Sequence, residues 1–255
     1  MVEIKKRKEY TMEMIICKDA VALGQQAGMA AGDVIRDAIT AKGHASVILA
    51  TGASQFETLK QLITEKNIDW TKVTLFHLDE YIDLPVTHGA SFRKYLTERF
   101  LDKVGAVGAV YLIDGETDPQ KECDRLNAVI RQHSIDLALV GIGENGHLAF
   151  NDPPADFDTE DPFIIVTLDE PCRRQQMNEG WFKSIEDVPA RAISMSVKQI
   201  LKSAAIICSV PDERKALAVK NTIEQGVSNL FPASILKTHS DCTLFLDNKS
   251  AALLT

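Results

Sequence analysis

His147 and Asp152 stand five residues apart in the stretch "GIGENGHLAFNDP", Gly141 to Pro153. A carboxylate on one imidazole nitrogen fixes the tautomer and leaves the other nitrogen free to move a proton. Glycines 141, 143 and 146 let the backbone approach a ligand closely and permit positive φ. A glycine-rich turn around a structural histidine would look similar. The G-x-G-x-x-G spacing also resembles half of a dinucleotide fingerprint. The following "HLAFNDPP" is a poor helix start, which argues against that use.

Three more places carry candidate chemistry. Asp79 and Glu80 follow the apolar run "TLFHL". Desolvation at a strand's carboxyl end can tune one such carboxyl toward neutral pH for acid–base work. A helix cap or a surface ion pair is the competing reading, and His77 inside the run reads as a satisfied core residue. Thr51, Gly52, Ala53 and Ser54 join "ASVILA" to a helical stretch. Small residues at such a junction can present N–H groups and hydroxyls to an anion, although an ordinary βα turn is built the same way. Lys215, with Arg214 beside it, and the pair Arg173–Arg174 supply cations suited to phosphate. Each could equally be a solvated surface charge.

These residues need a scaffold, and the hydrophobic pattern supplies one. Residues 19–42 have helical spacing, with apolar positions at 20, 23, 27, 30, 34, 35 and 39. Strands are expected at 45–50, 72–78, 109–114, 136–143, 204–210 and 242–247. Helices are expected at 56–66, 91–104, 119–133 and 212–226. Alternation of this kind predicts an α/β fold: a three-layer α/β/α, Rossmann-like arrangement on a mainly parallel sheet covered on both faces. Ligands then bind beyond the carboxyl ends of the strands, where the candidates above fall. The Pro- and acid-rich segment 152–165 reads as a mobile flap.

Composition narrows the functions. The chain has 255 residues, which suits a single domain over 1–255, and its net charge is −8. No basic face stands out, so nucleic acid is not expected as a partner. The five cysteines, at 17, 123, 172, 208 and 242, form no CxxC pair. Such usage points to a reducing cytoplasm. The charged "MVEIKKRKEY" lacks the apolar core of a secretory signal. No run approaches the roughly 18 apolar residues of a membrane helix. No HExxH, no His/Cys cluster and no magnesium-type carboxylate pair occurs, so no metal site is expected. No GxSxG elbow occurs either.

The motifs "TGAS", "LDEY", "GIGENGHLAFNDP", "RKALAV" and "PASILKTHSDCTLFLD" occur in the order found in the glucosamine-6-phosphate deaminase/isomerase family, which the chain resembles from about residue 45 to 250. The 6-phosphogluconolactonases share that family's fold. They continue differently after the histidine, and carry Asp-Glu-Arg where this chain has Asp79-Glu80-Tyr81. The resemblance implies conversion of glucosamine 6-phosphate and water to fructose 6-phosphate and ammonia. It implies that His147 opens the sugar ring and that Asp79 moves a proton between C2 and C1. Asp152 and Asn145 complete the catalytic set. Thr51, Gly52, Ala53, Ser54, Arg173 and Lys215 would hold the phosphate, with Glu80 also in the binding site. Arg173 rather than Arg174 matches the family's Leu-Asp-Glu-x-x-Arg pattern. Phe150 and Asn151 look like pocket wall. No cofactor is needed, and a mobile lid is placed around 152–185. Family members are monomers or larger rings, so a homo-oligomer is compatible with the resemblance.

The chain departs from the family at instructive points. Asp152 stands where Glu is usual, so backbone position must restore its reach to His147. Asn145 stands where many members have Asp. Ala53 replaces a usual glycine, which requires that it avoid positive φ. The segment after Pro153 is acidic where activated members carry serine and basic residues, so activation by a second sugar phosphate is expected to be absent. Two other readings compete: a sugar-phosphate lactonase using His147 as base, and a sugar-phosphate-sensing domain without turnover. The absence of a helix-turn-helix, and the presence of both Asp79 and His147, argue against the latter.

Overall fold

Helix α1 (Ala20–Lys42) shows how local signals set the elements. Asp19 caps it by accepting from the Ala22 N–H at 2.8 Å, and Gly43 ends it at φ 82. Leu23, Ala27, Ala31 and Ile35 are buried along one stripe. Gly24 lies so close to α2 (Phe56–Leu62) that a Cβ would stand 2.2 Å from the Glu57 Cβ. The computed structural model describes residues 3–5 and 12–254. The charged N-terminal stretch read as lacking a secretory core lies largely outside the described residues.

The expected strands form as β3 (Ala45–Leu49), β4 (Val73–His77), β6 (Ala109–Tyr111), β7 (Leu137–Val140), β10 (Ala205–Val210) and β11 (Cys242–Asp247). With β1 (Glu3–Lys5) and β2 (Glu13–Cys17) they make an eight-stranded sheet in the order β1-β2-β11-β10-β7-β3-β4-β6. Only the β1–β2 pairing is antiparallel within it.

Alternate side chains of these strands feed two cores, as a sheet buried on both faces requires. Val47, Leu49, Leu75, Leu139 and Ile207 pack with Leu23, Ala27 and Ile35 of α1 and Leu59 of α2. Ile48, Phe76, Val140, Cys208 and Leu244 pack on the other face with Leu126 of α5 (Pro119–Ile130), Ile200 of α7 (Val197–Leu201) and Val219 of α8 (Ala216–Glu224). All five cysteines are buried free thiols.

Two departures from the sequence reading matter. The helix expected at 91–104 is broken into α3 (Phe92–Leu96), a π-helical turn at Thr97–Leu101, and α4 (Asp102–Val104). A second, three-stranded sheet was not foreseen. It joins β5 (Asp79–Tyr81), β9 (Arg191–Met195) and β8 (Phe163–Thr167), with antiparallel pairings. Residues 152–162 contain no helix or strand, and β8 and α6 (Glu170–Asn178) follow.

Sheet order locates the ligand crevice. From β3 the chain crosses by α2 to β4 on one side, whereas β7 lies against β3 on the other. The loops after β3 and β7 therefore leave in opposite directions and part at their carboxyl ends, the place where open α/β sheets bind ligands.

Candidate active site

The crevice is a cavity of about 390 Å³. Thr51, Gly52, Ala53 and Ser54 enter from β3, Asp79 from the end of β4, and Gly141, Gly143 and His147 from β7. Lys215 and Arg214 enter after β10. Residues spread over more than half the chain thus meet at one end of one sheet.

Asp79 is placed by a change of sheet. His77 ends β4, and Leu78 bonds to both sheets: its N–H donates to Leu49 O and its O accepts from the Met195 N–H. Asp79 then opens β5, opposite Ser194. Strand alternation turns Asp79 to the cavity and Glu80 away from it. Asp79 is buried, and its carboxyl is pushed up to about 8, by desolvation first and by the Glu80 charge second. Glu80 does not line the cavity. Its carboxylate accepts from the N–H groups of Tyr81, Phe92 and Arg93 and from the Ser91 hydroxyl. The expected binding role gives way to an anchoring one: Glu80 holds the start of α3.

His147 sits between two constraints. Its Nδ1 lies 3.0 Å from the Asp152 Oδ1, within ion-pair distance, although the ring N–H is not aimed along that line. The shorter aspartate therefore does reach the ring. The ring face rests on Gly143, where a Cβ would stand 2.2 Å from Nε2. Burial alone would raise the Asp152 carboxyl; His147, the Asn145 amide and the Asp169 N–H outweigh it and hold it below its usual range. Asn145 ties the turn together: its Nδ2 donates to Asp152 at 2.9 Å and its Oδ1 accepts the His147 N–H at 3.1 Å. Asn145 and Asp152 stand behind His147 rather than in the cavity wall. Of the expected wall residues, Phe150 lines the cavity. Asn151 instead bonds inward to the Leu148 and Met195 carbonyls.

The small-residue loop has the required backbone. Gly52 takes the positive φ, at 83, and Ala53 does not. Gly141 brings β7 close to it, since a Cβ there would stand 2.7 Å from the Ser54 Oγ.

Arg173 is the clearest divergence. Its Nη2 donates to the carbonyls of Ile185 at 2.7 Å and Val188 at 3.0 Å, and it does not line the cavity. The cavity face of α6 carries Gln175 and Gln176 instead, followed by Glu179 at its end. Sequence reasoning missed these three. The signal was helical phase: Cys172, Gln175, Gln176 and Glu179 follow the i, i+3, i+4, i+7 spacing of one face, and Arg173 is rotated about 100° from Cys172.

Among the described residues, one group of metal-type donors falls together: His147, Asp152 and Cys172, within 4.8 Å of one another. The Cys172 thiol is pushed well above its usual range by burial, then by Asp152 and Asp169.

The family of glucosamine-6-phosphate isomerases and 6-phosphogluconolactonases matches residues 18–245 of this sequence. The chain belongs to that family. Within the family, a glucosamine-6-phosphate deaminase of Listeria welshimeri is 36% identical over 223 residues, 87% of this chain and 93% of the relative. One from Lactobacillus delbrueckii subsp. bulgaricus is 33% identical over 244 residues, 95% and 100% of the two chains. A solved structure of a monomeric glucosamine-6-phosphate deaminase superposes with a TM-score of 0.85 at 32% identity, covering 94% of this chain and 99% of that one. A 6-phosphogluconolactonase from Shewanella baltica gives 0.76 at 18% identity, covering 94% and 98%, a likeness of fold.

Proposed function

We propose that the chain converts glucosamine 6-phosphate and water to fructose 6-phosphate and ammonia. The observation that carries this reading is the meeting of Asp79 and His147 on one cavity, the first a carboxyl tuned to about 8 and the second backed by an anionic Asp152.

His147 moves the proton of the 1-hydroxyl to the ring oxygen as the C1–O5 bond breaks, giving the open aldehyde. Asp79, as carboxylate, takes the proton from C2 and delivers it to C1 through an enediolamine. The resulting ketimine at C2 adds water and expels ammonia, leaving the C2 ketone. A proton moved by one carbon needs one positioned carboxyl rather than a cofactor. The 51–54 loop and Lys215, with Arg214 at the rim, form the phosphate end. The single domain carries a lid over 152–185, and the enzyme acts in the cytoplasm. Among the described residues no helix is long and apolar enough to cross a membrane.

A coupled assay for ammonia release from glucosamine 6-phosphate tests the reading. Stoichiometric ammonia and fructose 6-phosphate are expected. Hydrolysis of 6-phosphogluconolactone without ammonia release from the amino sugar would overturn it in favour of a lactonase. Sugar-phosphate binding without turnover of either would leave a sensing domain.

A further inference from the structure

The end of the cavity assigned to phosphate already holds an anion. Glu179 ends α6 and lines the cavity, and its Oε1 lies 3.9 Å from the Lys215 Nζ. Both side chains are more than nine-tenths buried. Gln175 donates to the same carboxylate at 2.8 Å, and the Trp181 indole donates to it at 3.3 Å. Arg214 is engaged as well, with Asp212 at 2.8 Å and Glu144 at 3.6 Å.

A phosphate on Lys215 would lie within a few ångströms of a buried, like-charged carboxylate. Such a pair is strongly disfavoured where water is excluded. Either the carboxylate yields or the phosphate binds weakly. Glu179 lies at the end of α6, next to Gly180 at φ 86, so a backbone change there could carry it away.

We propose that Glu179 is an internal competitor for the phosphate subsite: it pairs with Lys215, is displaced by the substrate phosphate, and thereby sets the affinity for substrate. This rests on reading Lys215 as the phosphate anchor. Gln175 and Trp181 hold the carboxylate in place, and Lys215 gains a counter-ion that offsets the cost of its burial when no ligand is bound.

Calorimetric binding of inorganic phosphate, together with KM for glucosamine 6-phosphate, tests this in Glu179→Gln, Lys215→Met and the double variant. Glutamine keeps the acceptor for Trp181 and removes the charge. Glu179→Gln is expected to bind phosphate at least five-fold tighter and to lower KM in parallel, a gain that a damaged fold does not produce. Lys215→Met is expected to weaken phosphate at least ten-fold, and the gain from Glu179→Gln is expected to vanish in the double variant. If Lys215→Met weakens binding but Glu179→Gln leaves it unchanged or weaker, the competitor role falls and the anchor stands. If Lys215→Met has no effect, the anchor itself is wrong. Should Glu179→Gln fail to fold, Glu179→Ala carries the same expectations.

Discussion

His147 Nδ1 lies 3.0 Å from the Asp152 Oδ1, and the two side chains are almost wholly buried. The aspartate achieves this without the extra methylene of glutamate because Asn145 and the Asp169 N–H grip both of its oxygens. An asparagine at 152 would lose the charge and turn one N–H₂ toward those donors. Asp152→Asn should therefore lower kcat by about 100-fold, within the range ascribed to a single acid–base group, with a smaller change in KM. Asp152→Glu should retain more activity. Equal kcat for Asp152→Asn and wild type in the ammonia assay would remove the pair from the mechanism.

The Gly143 backbone lies under the His147 ring with no room for a Cβ. Gly143→Ala should displace the imidazole and cost about 1–3 kcal/mol through overpacking. Thermal melting reads the stability loss. Turnover should fall further than Tm alone accounts for, because the displaced ring is the proposed ring-opening group. Full activity with an unchanged Tm would contradict the close approach.

Asp79 ties activity to pH. If it acts as carboxylate, kcat/KM should rise as pH climbs through about 8, where burial places its ionisation. Asp79→Asn should reduce turnover by about 100- to 10,000-fold while sparing phosphate binding. The same burial costs stability. An unfolded aspartate releases its proton near pH ~3.9, and folded Asp79 only near about 8. Its contribution is fully present below pH ~3.9 and is lost as pH rises toward about 8. Asparagine does not titrate, so the Tm of Asp79→Asn relative to wild type should grow from pH 5 to pH 8. A constant difference would mean that Asp79 is not buried as an acid.

Much of this architecture was readable from residue pattern, and the parts that were not share a cause. Strands β3, β4, β7, β10 and β11 are dense apolar runs, so their period and length announce them. β5 and β9 pair across more than a hundred residues of chain, and Asp79-Glu80-Tyr81 carries no strand pattern of its own. Asp79 was found by its type and position, whereas the division of labour within Asp79–Glu80 depended on that hidden pairing. "LDEPCRRQQMNEG" drew attention by charge, yet the phase of α6 decides which side chains meet the cavity. Family pattern pointed to Arg173, and geometry turns it toward the Ile185–Val188 turn.

The acidic segment after Pro153 bears on regulation. Glu160 pairs with Lys198 and Lys202, and Asp161 with Arg131. These three cations are already engaged by carboxylates, which would repel a phosphate. Addition of N-acetylglucosamine 6-phosphate should leave the substrate saturation curve unchanged. Clear activation would show that a second sugar-phosphate site exists.

Arg173 and Lys215 should separate in a single pair of variants. The Arg173 guanidinium satisfies two backbone carbonyls away from the cavity, so Arg173→Ala should lower stability by about 1–3 kcal/mol, the cost of leaving such groups unpaired. In a chain of 255 residues that is a fall in Tm of about 2–12 °C. KM should stay within two-fold. Lys215→Ala removes a buried cation from the cavity wall, and KM for the sugar phosphate should rise at least ten-fold. A large KM increase in Arg173→Ala with Tm unchanged would mean that the guanidinium leaves Ile185 and Val188 and swings onto the phosphate when substrate binds, restoring the role that family pattern assigned to it.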